Sequence, residues 1–597
     1  DCVFFSNTGY IFGGYQSNSS ADITMLNSII WNNAPMGESF NDIDLFISYS
    51  CVQGSYAGTG NTNLLPEFCN IFEFPLTLSS TSPLIGVGWF NANMGGLDVG
   101  CQEPRSVYHI SSDGSSTGSG TIEDPLKTIS PTIDLISSGD TVVVGPGVYP
   151  ENIGILGKNI VLGSYFLTTE DTSYITQTVI QGGINIMGVD STTHVSGFSI
   201  RDTDDRAFYI EDDSGIRLSH LNVQNTEGIW LNNSNAFLSN MVIFNNESSN
   251  QGGGLKIEYS NIQLANVVID SNRSGQTSNH YDGGGVYAYY STVVMDSVQV
   301  TRNSVGSARG GGIYFYSDGS GDYSLEISNS DVEYNGAQHG GGIWSSAAII
   351  TLTDVNVDNN SAVYGGAIYG NSDTFTAYNS SFNGNSAINE SSSDGYGGGF
   401  SVDGNGSLSM EQCFIQHNTT VNRGGGLFIQ GATLLDVKNT LITDNVTLLN
   451  NNNGSMGGGG IYYNTNNNNS QFIHCTIANN SSGSYGGGVK RSGGELQFIN
   501  SIIWHNTATY GSPSVYGGNV YFTNSNVEEE VSTINSDPLF VDNYNGDYRL
   551  SDYSPSIGTG TSEGVPSVDI VDNPRPQPDG SNPDMGAYEN SLGQRLT

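Results

Sequence analysis

A glycine cluster returns along most of this chain at a coil-sized spacing, each time followed by an aliphatic and usually an aromatic residue. It reads Gly283-Gly284-Gly285-Val286-Tyr287, Gly310-Gly311-Gly312-Ile313-Tyr314, Gly340-Gly341-Gly342-Ile343-Trp344, Gly365-Gly366-Ala367-Ile368-Tyr369, Gly424-Gly425-Gly426-Leu427-Phe428 and Gly458-Gly459-Gly460-Ile461-Tyr462. Between the clusters an apolar residue stands three before an asparagine: Ile269/Asn272, Val300/Asn303, Val357/Asn360, Phe382/Asn385, Ile415/Asn418, Ile442/Asn445, Ile477/Asn480 and Ile503/Asn506. Two interleaved motifs with one shared period of about 25 to 34 residues define a solenoid.

The segments between glycines are short alternating runs such as 324–327 and 291–295, too brief for helices. Each repeat is therefore expected to form one coil of an all-β, right-handed parallel β-helix, with strands of successive coils about 4.8 Å apart. Glycine suits the tight corner, where positive φ or close backbone approach excludes a Cβ. The recurring asparagine is expected to take a left-handed bend and to form an amide ladder along the axis. Thr203 and Thr226 hold its place in two earlier coils, so the ladder should begin near Asn246.

Composition limits the partners. Charged residues are only 13% of the chain, and the net charge is −41 with 17 Lys plus Arg. A phosphate backbone or an anionic membrane surface would be repelled, so nucleic acid is excluded as a partner. No apolar run reaches the length of a transmembrane segment.

Residues 1 to 103 repeat the end of the chain. The stretch 27–31 (NSIIW) matches 500–504, Cys2 to Asn7 matches Cys475 to Asn480, and Ser82-Pro83-Leu84-Ile85-Gly86 answers Ser554-Pro555-Ser556-Ile557-Gly558. Leu97-Asp98-Val99-Gly100 likewise answers Pro583-Asp584-Met585-Gly586. The expected organisation is the last coils and closing module of one β-helix over 1–103, a second β-helix over 104–523, and its closing module over 524–597. Such an order fits a piece of a longer tandem array, or a molecule whose open end a neighbour covers end to end. Near the start of the second domain, Asp124 is placed to cap a helix over about 125–137. Leu126, Ile129, Ile133 and Ile136 would share one face of that helix and plug the solenoid.

From Tyr108 through Asp124-Pro125-Leu126-Lys127, Gly139-Asp140-Thr141-Val142 and Gly147-Val148-Tyr149-Pro150, the chain resembles the amino-terminal part of right-handed β-helix proteins of the pectate-lyase-like superfamily. Asp537-Pro538-Leu539-Phe540, Gly546-Asp547-Tyr548-Arg549 and Asp584-Met585-Gly586-Ala587-Tyr588-Glu589 resemble the closing module of secreted bacterial proteins called choice-of-anchor Q. Gly365-Gly366-Ala367-Ile368 and Phe382-Asn383-Gly384-Asn385 are similar to the GGA[ILV] and FxxN repeats of chlamydial polymorphic membrane proteins. These resemblances imply the β-helical fold and a secreted or bacterial cell-surface address. They leave function open, because this scaffold carries lyases, hydrolases, adhesins and fibres alike.

Cys413 and Cys475 occupy a slot held elsewhere by small residues, and a coil between them puts the thiols about 9 to 10 Å apart, too far to pair. Cys51, Cys69 and Cys101 are close enough in sequence to permit one disulfide, or to remain free buried thiols.

For catalysis, one column invites attention. The residue before the glycines runs Asp282, Arg309, His339 on successive coils, the residue types that a β-eliminating polysaccharide lyase uses as base and charge stabiliser. The same column continues as Tyr364, Tyr396, Arg423, Met456 and Tyr485, which reads as an ordinary corner. No cofactor is expected beyond calcium. Asp202, Asp204 and Asp205 in one turn and Asp212 and Asp213 in the next would offer it hard oxygen ligands, or are solvated turns.

Alternation provides the other candidate. If the aliphatic after each glycine cluster points inward, then Tyr287, Tyr314, Trp344, Tyr369, Phe428, Tyr462 and Tyr521 point outward in one axial column, with Tyr289 and Tyr316 beside it. Lys256, Ser401 and Lys490 interrupt it. The column is either a stability ladder or a contact stripe for a glycan or a neighbouring surface protein. The reading favoured by the sequence is a structural or adhesive element without catalysis of its own. Its rival is a polysaccharide lyase or other carbohydrate-active enzyme.

Overall fold

A computed structural model of the chain describes residues 3–5, 23–31, 45–53, 57–66, 78, 82–88 and 92–95, and 107–597 apart from 276–280, 390–393, 531–533, 563 and 597. The chain divides into two compact units, Asp1–Ser106 and Val107–Thr597.

The larger unit is a parallel β-helix, as the repeat demands. One coil shows the path. After Gly283-Gly284-Gly285 comes Val286–Tyr289 on one face, then Thr292–Thr301, bent at Ser297 so that it serves the other two faces, then the short strand Ser304–Val305. Each strand pairs in parallel with its counterpart one coil on: Val286 faces Ile313, Ile313 faces Ile343, and Ile343 faces Ile368. One sheet runs through 14 such strands, from Ile153–Leu156 to Val515–Tyr516. The inward residues of all faces merge into one continuous hydrophobic core from Ile110 to Val527.

The three glycines of each cluster have three different reasons to be there. The first holds positive φ, +69° at Gly310 and +62° at Gly340. At the second, a Cβ would lie 2.4 Å from the carbonyl oxygen of the next coil, as Gly284 shows against Gly311. At the third, it would press on the ladder asparagine of its own coil, 2.9 Å from Asn303 Nδ2 at Gly285. The two motifs share a period because they pack on each other.

The ladder runs without a break from Asn246 through Asn272, Asn303, Asn335, Asn360, Asn385, Asn418, Asn445 and Asn480 to Asn506. Thr226 joins its lower end by donating to Asn246 Oδ1 at 2.8 Å. The expectation of a left-handed asparagine needs correction. Positive φ falls on the residue before each rung, Ser271, Arg302, Tyr334 and Asn359 among them, and not on the rung itself.

The amino-terminal helix is shorter and differently capped than the sequence suggests. It spans Ile129–Leu135, and its first amides, on Ile129 and Ser130, donate to the Glu151 carboxylate at 3.0–3.1 Å. An acid at a helix start is favoured wherever in the chain it comes from. Asp124 instead accepts from the Ser119 amide, and Leu126 bridges to Ile110 and Ser115. Ile129, Ile133 and Ile136 join the main core as expected.

The closing segment does not add further coils. It folds back along the outside of those already formed, from Asn526 to Gln412. Gln412 and Asn439 donate to the carbonyls of Asp569 and Val568, and Asn500 donates to that of Thr561, at 2.8–2.9 Å. Underneath, Leu441 and Ala478 pack with Tyr548, Ile570 and Ala587, while Ile502 and Trp504 pack with Leu550, Ile557 and Met585. Arg575 and Glu589, whose side chains are fully buried, pair at 3.0 Å inside this joint. The outward residues of the same strand column are Gln299, Asp331 and Asn356 earlier in the helix, and become Phe414, Leu441 and Ile502 where the segment lies.

The smaller unit repeats that joint. Ile29–Trp31 pairs in parallel with Val3–Phe5 and with Cys51–Val52. The Gly95 amide donates to Asn27 O at 2.6 Å as the Gly586 amide donates to Asn500 O at 2.7 Å. Ile29, Leu84 and Met94 form the small core that Ile502, Ile557 and Met585 form in the larger unit. Met94-Gly95 thus takes the place that the sequence assigned to 97–100, which lie outside the described residues.

Candidate functional site

Alternation sends the second residue after each glycine cluster outward, and the parallel register aligns these residues into one column: Tyr209, Trp230, Lys256, Tyr287, Tyr314, Trp344, Tyr369, Ser401, Phe428, Tyr462, Lys490 and Tyr516. Outward does not mean exposed. The thickness of an aromatic ring nearly fills the spacing between strands, so each ring covers the face of the next. Tyr287 and Tyr314 stack at 4.9 Å and 4°, Tyr314 and Trp344 at 4.6 Å and 7°, and Phe428 and Tyr462 at 5.3 Å and 12°. Tyr314 is 4% exposed and Trp344 5%. The expectation of a contact stripe along these rings is therefore corrected to a packed ladder. Tyr289 and Tyr316 stack beside it at 5.3 Å and remain half-buried. Tyr521 belongs to a different sheet, opposite Gln497, and Tyr516 fills the expected position.

Cations continue the stack where rings are missing. Lys256 Nζ sits 4.1 Å from the Trp230 ring centroid and Lys490 Nζ 4.8 Å from that of Tyr516. Burial pushes the Lys490 amine below its ordinary pKa.

Ser401 is the real interruption. Between Trp344 and Phe428 the stack leaves the column and passes through the neighbouring corner, as His339 on Tyr364 at 4.8 Å, Tyr364 against Tyr396 at 5.4 Å, and Tyr396 on Phe428 at 5.2 Å. The detour opens a cleft of about 410 Å³ lined by His339, Tyr364, Tyr369, Tyr396, Asp403, Arg423, Phe428 and Gln430. Asp403 accepts from the Tyr369 hydroxyl at 3.1 Å, the Gly404 amide at 2.8 Å and Gln430 Nε2 at 3.4 Å. Burial, and then the Asp403 charge, raise the Tyr369 pKa, so its phenol stays a donor. Arg423 donates through Nε to Ser455 O and lies 5.2 Å and 5.3 Å from the Tyr396 and Tyr462 centroids. It has no ion-pair partner among the described residues. Ser401 Oγ and His339 Nδ1 are buried without a hydrogen-bond partner.

The three catalytic candidates do stand on successive coils, but Asp282 and Arg309 are occupied with each other. Arg309 grips Asp282 through Nε at 3.1 Å and Nη2 at 2.7 Å, and its guanidinium covers the Trp344 ring at 4.5 Å. Burial, and then the Arg309 charge, depress the His339 pKa and keep the imidazole neutral. The corner column continues through Tyr364, Tyr396 and Arg423 to Gly457, not Met456, because that coil carries four glycines. Tyr364, Tyr396 and Arg423 are thus cleft residues that the sequence passed over as corner, and Asp403 was missed, although it lies two residues after the interrupting Ser401.

The acidic turns are not assembled as a ligand set. Asp202 accepts from Asn225 Nδ2 and Asp212 from Asn233 Nδ2, one coil on in each case. Asp205 accepts from the Arg206 amide, Asp204 lines a separate groove beside Glu227 and Glu247, and Asp213 is buried, accepting from the Val189 amide. Among the described residues no three His, Cys, Asp or Glu side chains are grouped to hold a metal ion. Cys413 and Cys475 are free, buried and pushed up to about 12 by burial. Cys51 is likewise free, while Cys69 and Cys101 lie outside the described residues. No described helix is long and apolar enough to cross a membrane.

No protein-family model and no curated protein matches the chain. Among solved structures, pectate lyase Pel9A is 15% identical over 82% of this chain and 97% of that one, with a TM-score of 0.28. The catalytic unit of a GH87 alpha-1,3-glucanase from Streptomyces thermodiastaticus strain HF3-3 is 16% identical over 71% and 68%, with a TM-score of 0.35. XylC, in complex with xylose, is 10% identical over 82% and 99%, with a TM-score of 0.28. At these scores none of the likenesses bears on the site or its ligand.

Proposed function

We propose that the chain is a secreted or bacterial cell-surface β-helix with a structural or adhesive role, and that it engages glycans at the cleft where the aromatic ladder is diverted. The observation that carries this reading is the cleft itself: ring surfaces stand beside a carboxylate, a guanidinium and a phenol, the mixture that holds an amphipathic sugar ring in a concave site. The locked Asp282–Arg309 pair leaves neither group free to stabilise an enolate at that corner, which favours binding over elimination chemistry. Two copies of the same docked joint in one chain support a repeated-unit organisation suited to an extended surface element.

The test is a glycan array probed with the whole chain, alongside an absorbance assay for unsaturated sugar products. Retention of one glycan class without product formation is expected. An absence of retained glycan sinks the binding reading, and steady product release sinks the non-catalytic one.

A further inference from the structure

Resting on the glycan reading, the cleft also constrains the sugar. We infer that it takes an uncharged hexopyranose unit, laid against the Tyr364, Tyr396 and Phe428 rings and hydroxyl-bonded to Asp403 and Arg423.

The polar groups supply the first half of the argument. An ionised carboxylate offers about four acceptor positions, and Asp403 has three internal donors, one of them long at 3.4 Å. That leaves capacity for a ligand hydroxyl. The Arg423 Nη groups donate to no protein acceptor among the described residues, so they are available to a ring or hydroxyl oxygen. Ser401, 0% exposed, and His339 each hold a buried polar atom without a partner at this one break in the column. Unpaired buried polar atoms are costly, and sites that bind polar ligands are where such atoms are retained.

Charge supplies the second half. Asp403 lines the cleft, and Asp394 acts on Tyr364 strongly enough to help raise its pKa, after burial. The lining arginine already shares its cation between two ring faces and lies near Lys490, in a chain whose net charge is −41. An anionic sugar would meet net repulsion, while a neutral ring would not.

The experiment is isothermal titration of the whole chain with neutral gluco-, manno- and galacto-oligosaccharides and with a uronate oligosaccharide. It is repeated on Ser401→Tyr, which restores the column and fills the cleft, and on Asp403→Asn and Tyr364→Ala, in case the first does not fold. A neutral series should bind, with affinity falling at least tenfold in Asp403→Asn and Tyr364→Ala and vanishing in folded Ser401→Tyr. If the uronate binds preferentially and the cleft variants abolish it, the glycan reading stands and the inference of a neutral ring is overturned. Neutral binding untouched by all three variants also overturns it, because the site is then elsewhere. If no sugar of either kind binds, the inference and the reading beneath it fall together.

Discussion

Asn360 Nδ2 donates to Asn385 Oδ1, one coil on, at 3.1 Å, and to Val332 O, one coil back, at 2.8 Å. Its Oδ1 accepts from both the amide and the Nδ2 of Asn335 at 2.9 and 3.0 Å. Every hydrogen-bonding position of the buried amide is used. Asn360→Ala therefore removes partners from groups on both neighbouring coils, and since a lost partner costs about 1–3 kcal/mol for each buried polar group left behind, a loss of about 3 kcal/mol is expected. Urea unfolding monitored by circular dichroism checks it, and a midpoint within error of the parent would count against the ladder as a stabilising element.

The glycines should differ by position. At Gly366 a Cβ would stand 2.3 Å from Gly398 O, a backbone atom with nowhere to go. At Gly399 the nearest contacts are 2.7 Å from Gly426 O and 3.0 Å from Asn418 Nδ2, and the corresponding place one coil earlier is held by Ala367. Gly366→Ala is expected to prevent folding or to cost about 3 kcal/mol, and Gly399→Ala to cost less. Soluble yield and thermal midpoint compare them, and equal losses would refute the distinction.

Trp344 is part of a packed ladder, so removing it is a core deletion. Trp344→Ala should cost about 3 kcal/mol, at the lower end for a large buried aromatic, and should free the Arg309 cation that lies on it. An unchanged thermal midpoint, the outcome that an exposed stripe would give, is the result that contradicts the burial.

Much of this was legible in the sequence because it depends on period alone. The glycine clusters, the asparagine rungs and the small-residue slot holding Cys413 and Cys475 all follow from stacking like residues at one level. What failed was the step from outward to exposed. Alternation correctly faced Trp344 away from the core, but it carries no information about ring thickness, and the match of ring to strand spacing is what buries the column. The back-folded segment was missed although its signal was present in the change of outward residues to Phe414, Leu441, Ile502 and Trp504. Ser401 was noticed only as a gap, because the residues that make the gap a cleft come from the corner and from the next outward position.

Arg575 offers a clean separation of the joint from the coils. It donates to Glu589, to Asn439 and to the carbonyls of Gly586 and Ala587, with Asp569 and Asp584 nearby. Replacing it with methionine leaves buried carboxylates uncompensated, a loss of about 3–5 kcal/mol for a broken buried pair. Arg575→Met should open the closing segment's docked amides, such as that of Gly586 on Asn500 O, to hydrogen exchange and the segment itself to protease, while far-ultraviolet circular dichroism stays near the parent. Unchanged protease resistance would show that apolar packing alone holds the joint.

Asp373 sets a pH dependence. Burial pushes its pKa from an ordinary 3.8 up to about 7, although Ala348 N and Ser345 Oγ donate to it at 2.7 and 2.9 Å. The folded state thus holds the proton more tightly than the unfolded chain. Its contribution to stability is complete below about pH 4 and is lost as pH rises through about 7. Asp213, pushed up to about 6, and Asp584, up to about 7, act in the same direction, so the difference from Asp373→Asn isolates one group. Between pH 5 and 8 the stability advantage of the parent over this variant should shrink. A constant difference across that window would refute the raised pKa.

The fixed rungs and the variable segments between them separate two lengths that are usually tied together. Gly340 to Gly365 is 25 residues and Gly424 to Gly458 is 34, yet both advance the axis by one strand spacing, because the rung and the glycine corner fix the rise. In the larger unit, fourteen paired strands make a stack about 60 Å tall whatever the residue count of the excursions. Lengthening a loop therefore changes the girth of such a stack, and only adding a whole turn changes its reach.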